Sequence, residues 1–515
     1  MNAAYKRAGC VVLVVLACSL LAGCVRVGSA GEITELPESP ESSLKLSGDL
    51  LQPLDSAPAL LLLDEPPPRT TYVLNVTLDY AAGVVNAQQR IEFTNPAGEP
   101  LKQIRFNVPP ARRVGAFTLH DVRLSGAAEP LPFTLKDAVL TVDLPQPLPV
   151  GKALSISFDF AFRIALQELV DGIGGDDTSR GPQGLICGHW YVMLAPFVNG
   201  DWYTPRFVPV GDPYTSELAD YEVNILAPQD VIVAGAGDES HSGRLWHYSL
   251  PRARVFAFAA SNQYQVDQVT RDGVTIIHYA YPQHRAFAED VLITAERAVA
   301  LFSRLYGEYP YRTLRIVETG RSQGQEYSGL VSIGTTLYQG YRGSGARHDL
   351  IATTVHEVSH QWWFNVVGSD QIQSPWLDEA LARYMELRFY REYYPADADW
   401  WYAHFILGKD PSAVRGAIDL SIYDYPDARA YVNAVYRRGL IFMNELSKRL
   451  TPAVLDEALR TYYQRMSYRV AQPDDFFDAI AEHADKDISD LTRAYFARPL
   501  RLPCRISAGA ANCRR

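Results

Sequence analysis

Val355-His356-Glu357-Val358-Ser359-His360-Gln361-Trp362-Trp363, with Glu379 downstream, is the stretch from which the rest of the chain is read. On a helix, His356 and His360 stand four residues apart and project from one face. Two imidazoles on that face suit a tetrahedral zinc ion, and Glu357 between them can reach a water beside it. A zinc site that performs chemistry takes a third protein ligand and keeps one position open. Glu379, within Trp376-Leu377-Asp378-Glu379-Ala380, is the candidate. Ser374-Pro375 reads as a helix start, with Ser as cap and Pro at the first position, which sets Glu379 in the first turn of a second helix. The string alone would equally describe an amphipathic helix with two surface histidines. With the second helix added, it predicts one zinc ion per chain held by His356, His360 and Glu379.

Zinc so held polarises a carbonyl and lowers the pKa of water. Glu357 is the acid placed by the motif to accept that water's proton and pass it to a leaving amine. The oxyanion that forms needs a further donor. Tyr436, in Val435-Tyr436-Arg437-Arg438-Gly439, is available, but nothing in the residues selects it from 30 tyrosines. Glu326, in Gly324-Gln325-Glu326-Tyr327-Ser328, reads in isolation as a solvated carboxylate at a turn-rich strand edge.

The surrounding chain has 515 residues, 47% hydrophobic and 21% charged, enough for two or three cores. Its net charge of −11 and lack of a basic tract exclude nucleic acid as the expected partner. Lys6-Arg7 precede an apolar run from Val11 to Gly23, an export signal too short to span a bilayer as a mature helix. The run ends in Leu21-Ala22-Gly23-Cys24, which resembles a bacterial lipoprotein box and makes Cys24 the expected lipid anchor; a plain secretory signal is the alternative. Losing Lys6 and Arg7 with the leader takes the formal charge from −11 to about −13. The expected location is therefore the extracytoplasmic face of a bacterial envelope, on a membrane.

Residues 25–71 are acidic and rich in Pro and Ser, and read as a disordered tether. From Tyr72 the period is two, as in Tyr72-Val73-Leu74-Asn75-Val76-Thr77-Leu78-Asp79 and Leu154-Ser155-Ile156-Ser157-Phe158-Asp159, predicting an antiparallel β-rich domain over 72–265. The Asp171-Gly172-Ile173-Gly174-Gly175-Asp176-Asp177 loop fails the spacing of a calcium loop and reads as surface. Residues 266–500 mix strands with a helix from Ala286 to Tyr306, the two metal helices and further helices; 501–515 read as a tail. Export places Cys504 and Cys513 where they can close a small loop, and leaves Cys187 as a buried thiol.

The order of these segments resembles the zinc aminopeptidases of peptidase family M1. His356, Glu357, His360 and Glu379 match that family's metal signature, and Gln361-Trp362-Trp363-Phe364-Asn365, Pro375-Trp376-Leu377-Asp378-Glu379 and Tyr306-Gly307-Glu308-Tyr309-Pro310-Tyr311 look like its flanking segments. The resemblance implies an α+β fold: an N-terminal antiparallel β-sandwich-like domain followed by a thermolysin-like, mainly helical zinc domain. It implies Glu357 as general base and acid and Tyr436 as oxyanion donor, with Arg438 where Lys is usual. It also implies Glu326 as the carboxylate for the substrate's free α-amine, and Glu386 as an acid that orients a zinc histidine. Two departures stand out. Gln323-Gly324-Gln325-Glu326-Tyr327 keeps the glutamate but changes its neighbours, and the β-domain's amine-holding residues have no clear match near His189-Trp190-Tyr191. The long C-terminal helical-repeat domain of larger members is not expected, which suggests a cleft open to long peptides. The expected activity is removal of N-terminal residues from peptides. A zinc endopeptidase of altered specificity and a non-catalytic envelope binding protein are the rivals.

Overall fold

The computed structural model describes residues 69–166, 178–408, 410–507 and 513–514. The export leader, Cys24, the tether up to Pro68 and the Asp171–Asp177 stretch lie outside the described residues. Among the described residues no helix is long and apolar enough to cross a membrane.

Alternation builds the β-rich part. In Thr70–Asp79, Tyr72, Leu74, Val76 and Leu78 point inward, and the antiparallel neighbour Val84–Thr94 answers with Ile91, Gln89, Ala87 and Val85 in register. The one polar member of that face, Gln89, is matched: its Nε2 donates to Val192 O at 2.6 Å and its Oε1 accepts from Val192 N at 3.1 Å. These strands lie within a seven-stranded sheet, over which four- and five-stranded sheets close a common core that includes Trp190, Tyr191 and Phe258. The sheet is not wholly antiparallel as expected, because Thr70–Asp79 pairs in parallel with Ala219–Leu226. Strand 219–226 returns through a long connection rather than a hairpin, so no tight turn dictates its direction.

The second half is built on a five-stranded sheet in the order 265–271, 274–280, 313–319, 330–334, 325–327. Helix α1 (Ala288–Leu305) links the parallel neighbours Val274–Ala280 and Thr313–Thr319, burying Val291, Leu292, Ala295, Ala298, Val299, Leu301, Phe302 and Leu305 at helical spacing. Helices α2 (Asp349–Ser359) and α3 (Trp376–Tyr393) follow, and α4 (Gly439–Leu450) packs against α3. Cys187 is a buried free thiol, as expected. Cys504 is disulfide-bonded, and the strand before it, Leu502–Pro503, pairs with Cys513–Arg514.

Candidate active site

Helix α2 delivers the paired histidines. His348 caps its start, Nδ1 accepting from Leu350 N at 3.0 Å, and His360 is the C-terminal cap, still with right-handed helical dihedrals. The four-residue spacing therefore holds although the regular helix ends at Ser359. Beyond it, Trp362 Nε1 donates to Gly307 O at 2.7 Å and Asn365 shares a hydrogen bond with Tyr311, so the Tyr306–Tyr311 segment braces the end of α2. Helix α3 starts at Trp376 by a different device from the one expected. Pro375 already has helical dihedrals, no side chain caps the helix, and Ser374 contributes a backbone carbonyl to Leu377 N. The acceptor in that approach is Asp370 Oδ1, which takes Ile372 N and Gln373 N at 3.0 Å each. Glu379 nonetheless falls in the first turn of α3.

The two helices bring three ligand atoms together. His356 Nε2 lies 3.2 Å from Glu379 Oε2, His360 Nε2 lies 3.7 Å from the same oxygen, and the two Nε2 atoms are 3.2 Å apart. A tetrahedral zinc site with bonds of about 2.0–2.1 Å has ligand–ligand edges of about 3.3 Å. Glu379 Oε2 is buried without a hydrogen-bond partner among the described residues. Each imidazole donates its other nitrogen outward. His356 Nδ1 gives its proton to Glu386 Oε1 at 2.8 Å, and His360 Nδ1 to Asp378 Oδ1 at 2.6 Å. In the neutral form of each ring, Nε2 is thereby the nitrogen with an inward lone pair. Two nitrogens and one carboxylate oxygen so arranged fit a zinc ion.

Both orienting carboxylates are themselves held. Glu386 Oε1 also accepts from Arg383 Nη1 at 2.7 Å, and its Oε2 from Trp401 Nε1 at 3.1 Å. Asp378 Oδ2 accepts from Gln371 Nε2 at 2.7 Å. Glu386 stands where the family resemblance expects it. Asp378, Arg383, Trp401 and Gln371 were not anticipated, since their roles depend on contacts across helices; the one local sign was an acid next to Glu379.

Glu357 points into the same space, its Oε2 buried and unpartnered among the described residues. The backbone of Gly324 passes so close that a Cβ there would lie 2.1 Å from Glu357 Oε1, so a side chain at this position would displace the Glu357 carboxylate. Gln361 fastens the edge strand to α2, donating to Tyr327 O at 3.0 Å and accepting from Gly329 N at 2.9 Å. That attachment sets Glu326 within 4.8 Å of Glu357 and His360, measured between their ligand atoms. Glu326 is buried, 5% exposed, which overturns its isolated reading as a solvated carboxylate. Gln325 Nε2 donates both to Glu326 Oε2 at 2.8 Å and to Asp212 Oδ1 at 2.9 Å, drawing in an acid from the β-rich part that sequence reasoning missed.

Burial raises the carboxylates here. Glu357 is pushed up to about 8 by desolvation, against the attraction of His360 and with repulsion from Glu379 and Asp212. Desolvation and then Asp212 hold Glu326 well above the usual range. Burial and the Arg383 charge push His356 down to about 3, against Glu386. Desolvation also disfavours charge on His360, but Asp378 and Glu326 outweigh it and raise that group.

Tyr436 reaches the site from the π-helical turn Val432–Arg438, a helix irregularity of a kind often found at functional sites. Its hydroxyl donates to Glu379 Oε1 at 2.5 Å and its ring stacks on His356 with centroids 5.9 Å apart. Burial and the nearby Glu379 raise its pKa well above that of a free phenol, so it remains a neutral donor. Arg438 turns away, donating to Gly416 O and Ala494 O.

Residues 304–495 match the peptidase family M1 domain. Aminopeptidase N of Lactobacillus helveticus is 27% identical over 265 residues, covering 48% of this chain and 31% of the relative. Endoplasmic reticulum aminopeptidase 1 of Homo sapiens is 23% identical over 245 residues, covering 45% of this chain and 26% of the relative. The matched region spans less than a third of the length of these relatives. In fold, the chain is similar to the crystal structure of an M1 zinc metallopeptidase from Deinococcus radiodurans, with a TM-score of 0.60 at 15% identity, covering 85% of this chain and 96% of that one.

Proposed function

We propose that this chain is a member of peptidase family M1, whose domain matches residues 304–495, and a zinc-dependent metalloaminopeptidase that removes the N-terminal residue from peptides. The observation that carries the reading is one enclosed cluster. The His356, His360 and Glu379 ligand atoms converge at edges of 3.2–3.7 Å, with Glu357 and the buried Glu326 beside them. One zinc ion per chain, held by those three residues, supplies Lewis acidity toward the scissile carbonyl.

Glu357 takes the proton of the attacking water as the new C–O bond forms, and gives it to the leaving nitrogen as the C–N bond breaks. Its buried setting raises its proton affinity, which suits a group that must hold a proton between two steps. The Tyr436 hydroxyl donates to the carbonyl oxygen as that oxygen gains charge. Glu326 receives the substrate's α-ammonium, because a cation desolvated in a cleft needs a counter-charge. Asp212, tied to Glu326 through Gln325, adds a second negative group at that end. Attachment to a bacterial envelope membrane through acylated Cys24 is part of the same proposal, supported by Lys6-Arg7 and the Leu21–Cys24 box.

The test is a panel of free-amine aminoacyl fluorophores against their N-acetylated forms, with zinc-loaded protein and Glu357→Gln. Cleavage confined to free amines and abolished by the substitution is the expected result. Equal cleavage of blocked substrates would overturn the exopeptidase reading.

A further inference from the structure

Arg438 stands where the family resemblance expects Lys, and no step above uses it. Its Nη1 donates to Gly416 O and its Nη2 to Ala494 O, so one guanidinium ties together two segments far apart in sequence. The same group lies 4.7 Å from the Tyr495 ring centroid. A lysine offers a point charge on a flexible stem, whereas a planar fork reaches two carbonyls at fixed angles.

The two segments are also joined to each other. Ile418 N donates to Tyr495 O at 3.0 Å. Buried Asp419 accepts from Ala497 N at 2.6 Å through Oδ1 and from Arg498 N at 3.0 Å through Oδ2. A Cβ on Gly416 would stand 3.4 Å from Ala434 Cβ, so this loop lies directly on the π-helical turn Val432–Arg438. Residues 416–419 and 494–498, together with Arg438, thus form one clasp on the turn that carries Tyr436.

The next residue supplies a second hold. Gly439 opens α4, and a Cβ there would stand 2.6 Å from the Cβ of Ala380, the neighbour of Glu379 on α3. Isolated π-helical turns are rare, so contacts from outside hold this one in shape. At its C-terminal end those contacts are Gly439 against Ala380 and Arg438 against Gly416 and Ala494. Two residues before Arg438, the Tyr436 hydroxyl donates to Glu379 Oε1.

We propose that Arg438 is a positioning residue for the reaction: through the clasp it fixes the Tyr436 hydroxyl against Glu379, and hence against the oxygen that gains charge. This rests on the role given to Tyr436 above, and Arg438 acts through that tyrosine.

The experiment combines kinetics on the zinc-loaded full chain with a spectroscopic reading. Misplacing a reacting group by about 1 Å costs on the order of 10²-fold, and the whole donor is worth roughly 10²–10³-fold. Arg438→Met keeps an apolar stem and removes both hydrogen bonds; it should lower kcat about tenfold or more, with KM and zinc content within about twofold of the parent. Arg438→Lys should recover part of that loss. Asp419→Asn, which keeps one carboxamide acceptor of the two, should act in the same direction. Added to Tyr436→Phe, Arg438→Met should change kcat by less than about twofold, because the group it positions is gone. A loss that multiplies with that of Tyr436→Phe overturns the proposal. So does a kcat within about twofold of the parent in both Arg438→Met and Asp419→Asn. The cobalt-substituted chain reads the Tyr436–Glu379 hydrogen bond without turnover, through the visible bands of the metal that Glu379 holds. Arg438→Met should move those bands in the same direction as Tyr436→Phe. That shift in a chain that cleaves no peptide upholds the clasp, and the aminopeptidase reading is then what falls. Bands unmoved by Arg438→Met, or moved by it and not by Tyr436→Phe, overturn the clasp.

Discussion

Replacing Glu386 by Gln isolates the support of one metal ligand without touching the ligand itself. Glu386 Oε1 takes protons from His356 Nδ1 at 2.8 Å and Arg383 Nη1 at 2.7 Å, and Oε2 takes one from Trp401 Nε1 at 3.1 Å. An amide offers one acceptor oxygen. Whichever way it turns, its NH2 faces a donor: Trp401 on one side, or His356 and Arg383 on the other. The substitution therefore removes at least one charge-assisted bond, worth about 1.5–3 kcal/mol, and the carboxylate that balances the part-buried Arg383. Losing an outer partner of a metal histidine typically weakens metal binding by about 10–100-fold. The two estimates overlap, so zinc affinity should fall about 10–100-fold, read by competition with a chromophoric chelator at neutral pH. Glu392→Gln on the same helix, a 44% exposed partner of Arg304, is the control and should change nothing. A Glu386→Gln affinity within about twofold of the parent would refute the reasoning that this carboxylate fixes His356.

Tyr436→Phe should retain zinc and KM but lose roughly 10²–10³-fold in kcat, the range for removing one oxyanion donor; steady-state kinetics with a metal assay on the same sample checks both halves. Glu326→Gln should lower kcat/KM for free-amine substrates by roughly 10²-fold with zinc content unchanged, since a buried charge partner is lost. His278 is fully buried and held at about 4, below its ordinary 6.5, by desolvation. The unfolded chain therefore binds more protons between these values, and stability falls as pH drops through that window. From pH 7 to pH 5 this amounts to about 2 kcal/mol, and urea unfolding of His278→Gln should show a correspondingly shallower pH dependence.

What could be read from sequence was local. The His356–His360 spacing and the step to Glu379 are matters of helix geometry, and strand 70–79 carries its own alternation. Helix α3 is buried on nearly every side from Trp376 to Tyr390, so it has no polar stripe to mark it; only its charged first turn was informative. The Ser374 cap failed because Asp370, further upstream, supplies the acceptor in the approach to the helix. Asp212 is 113 residues from Gln325, and Trp401 contacts Glu386 only after the chain turns back past α3. The parallel pairing of 70–79 with 219–226 likewise spans about 150 residues, beyond any turn signal.

The most direct test separates holding the metal from moving the proton. Zinc content and N-terminal trimming of an unblocked peptide would be measured on the same preparations of the parent chain, His360→Ala and Glu357→Gln. The parent should carry one zinc and trim, Glu357→Gln should carry one zinc and not trim, and His360→Ala should do neither. Trimming by Glu357→Gln, or undiminished zinc affinity in His360→Ala, would contradict the assignment of His356, His360 and Glu379 as ligands with Glu357 as the base.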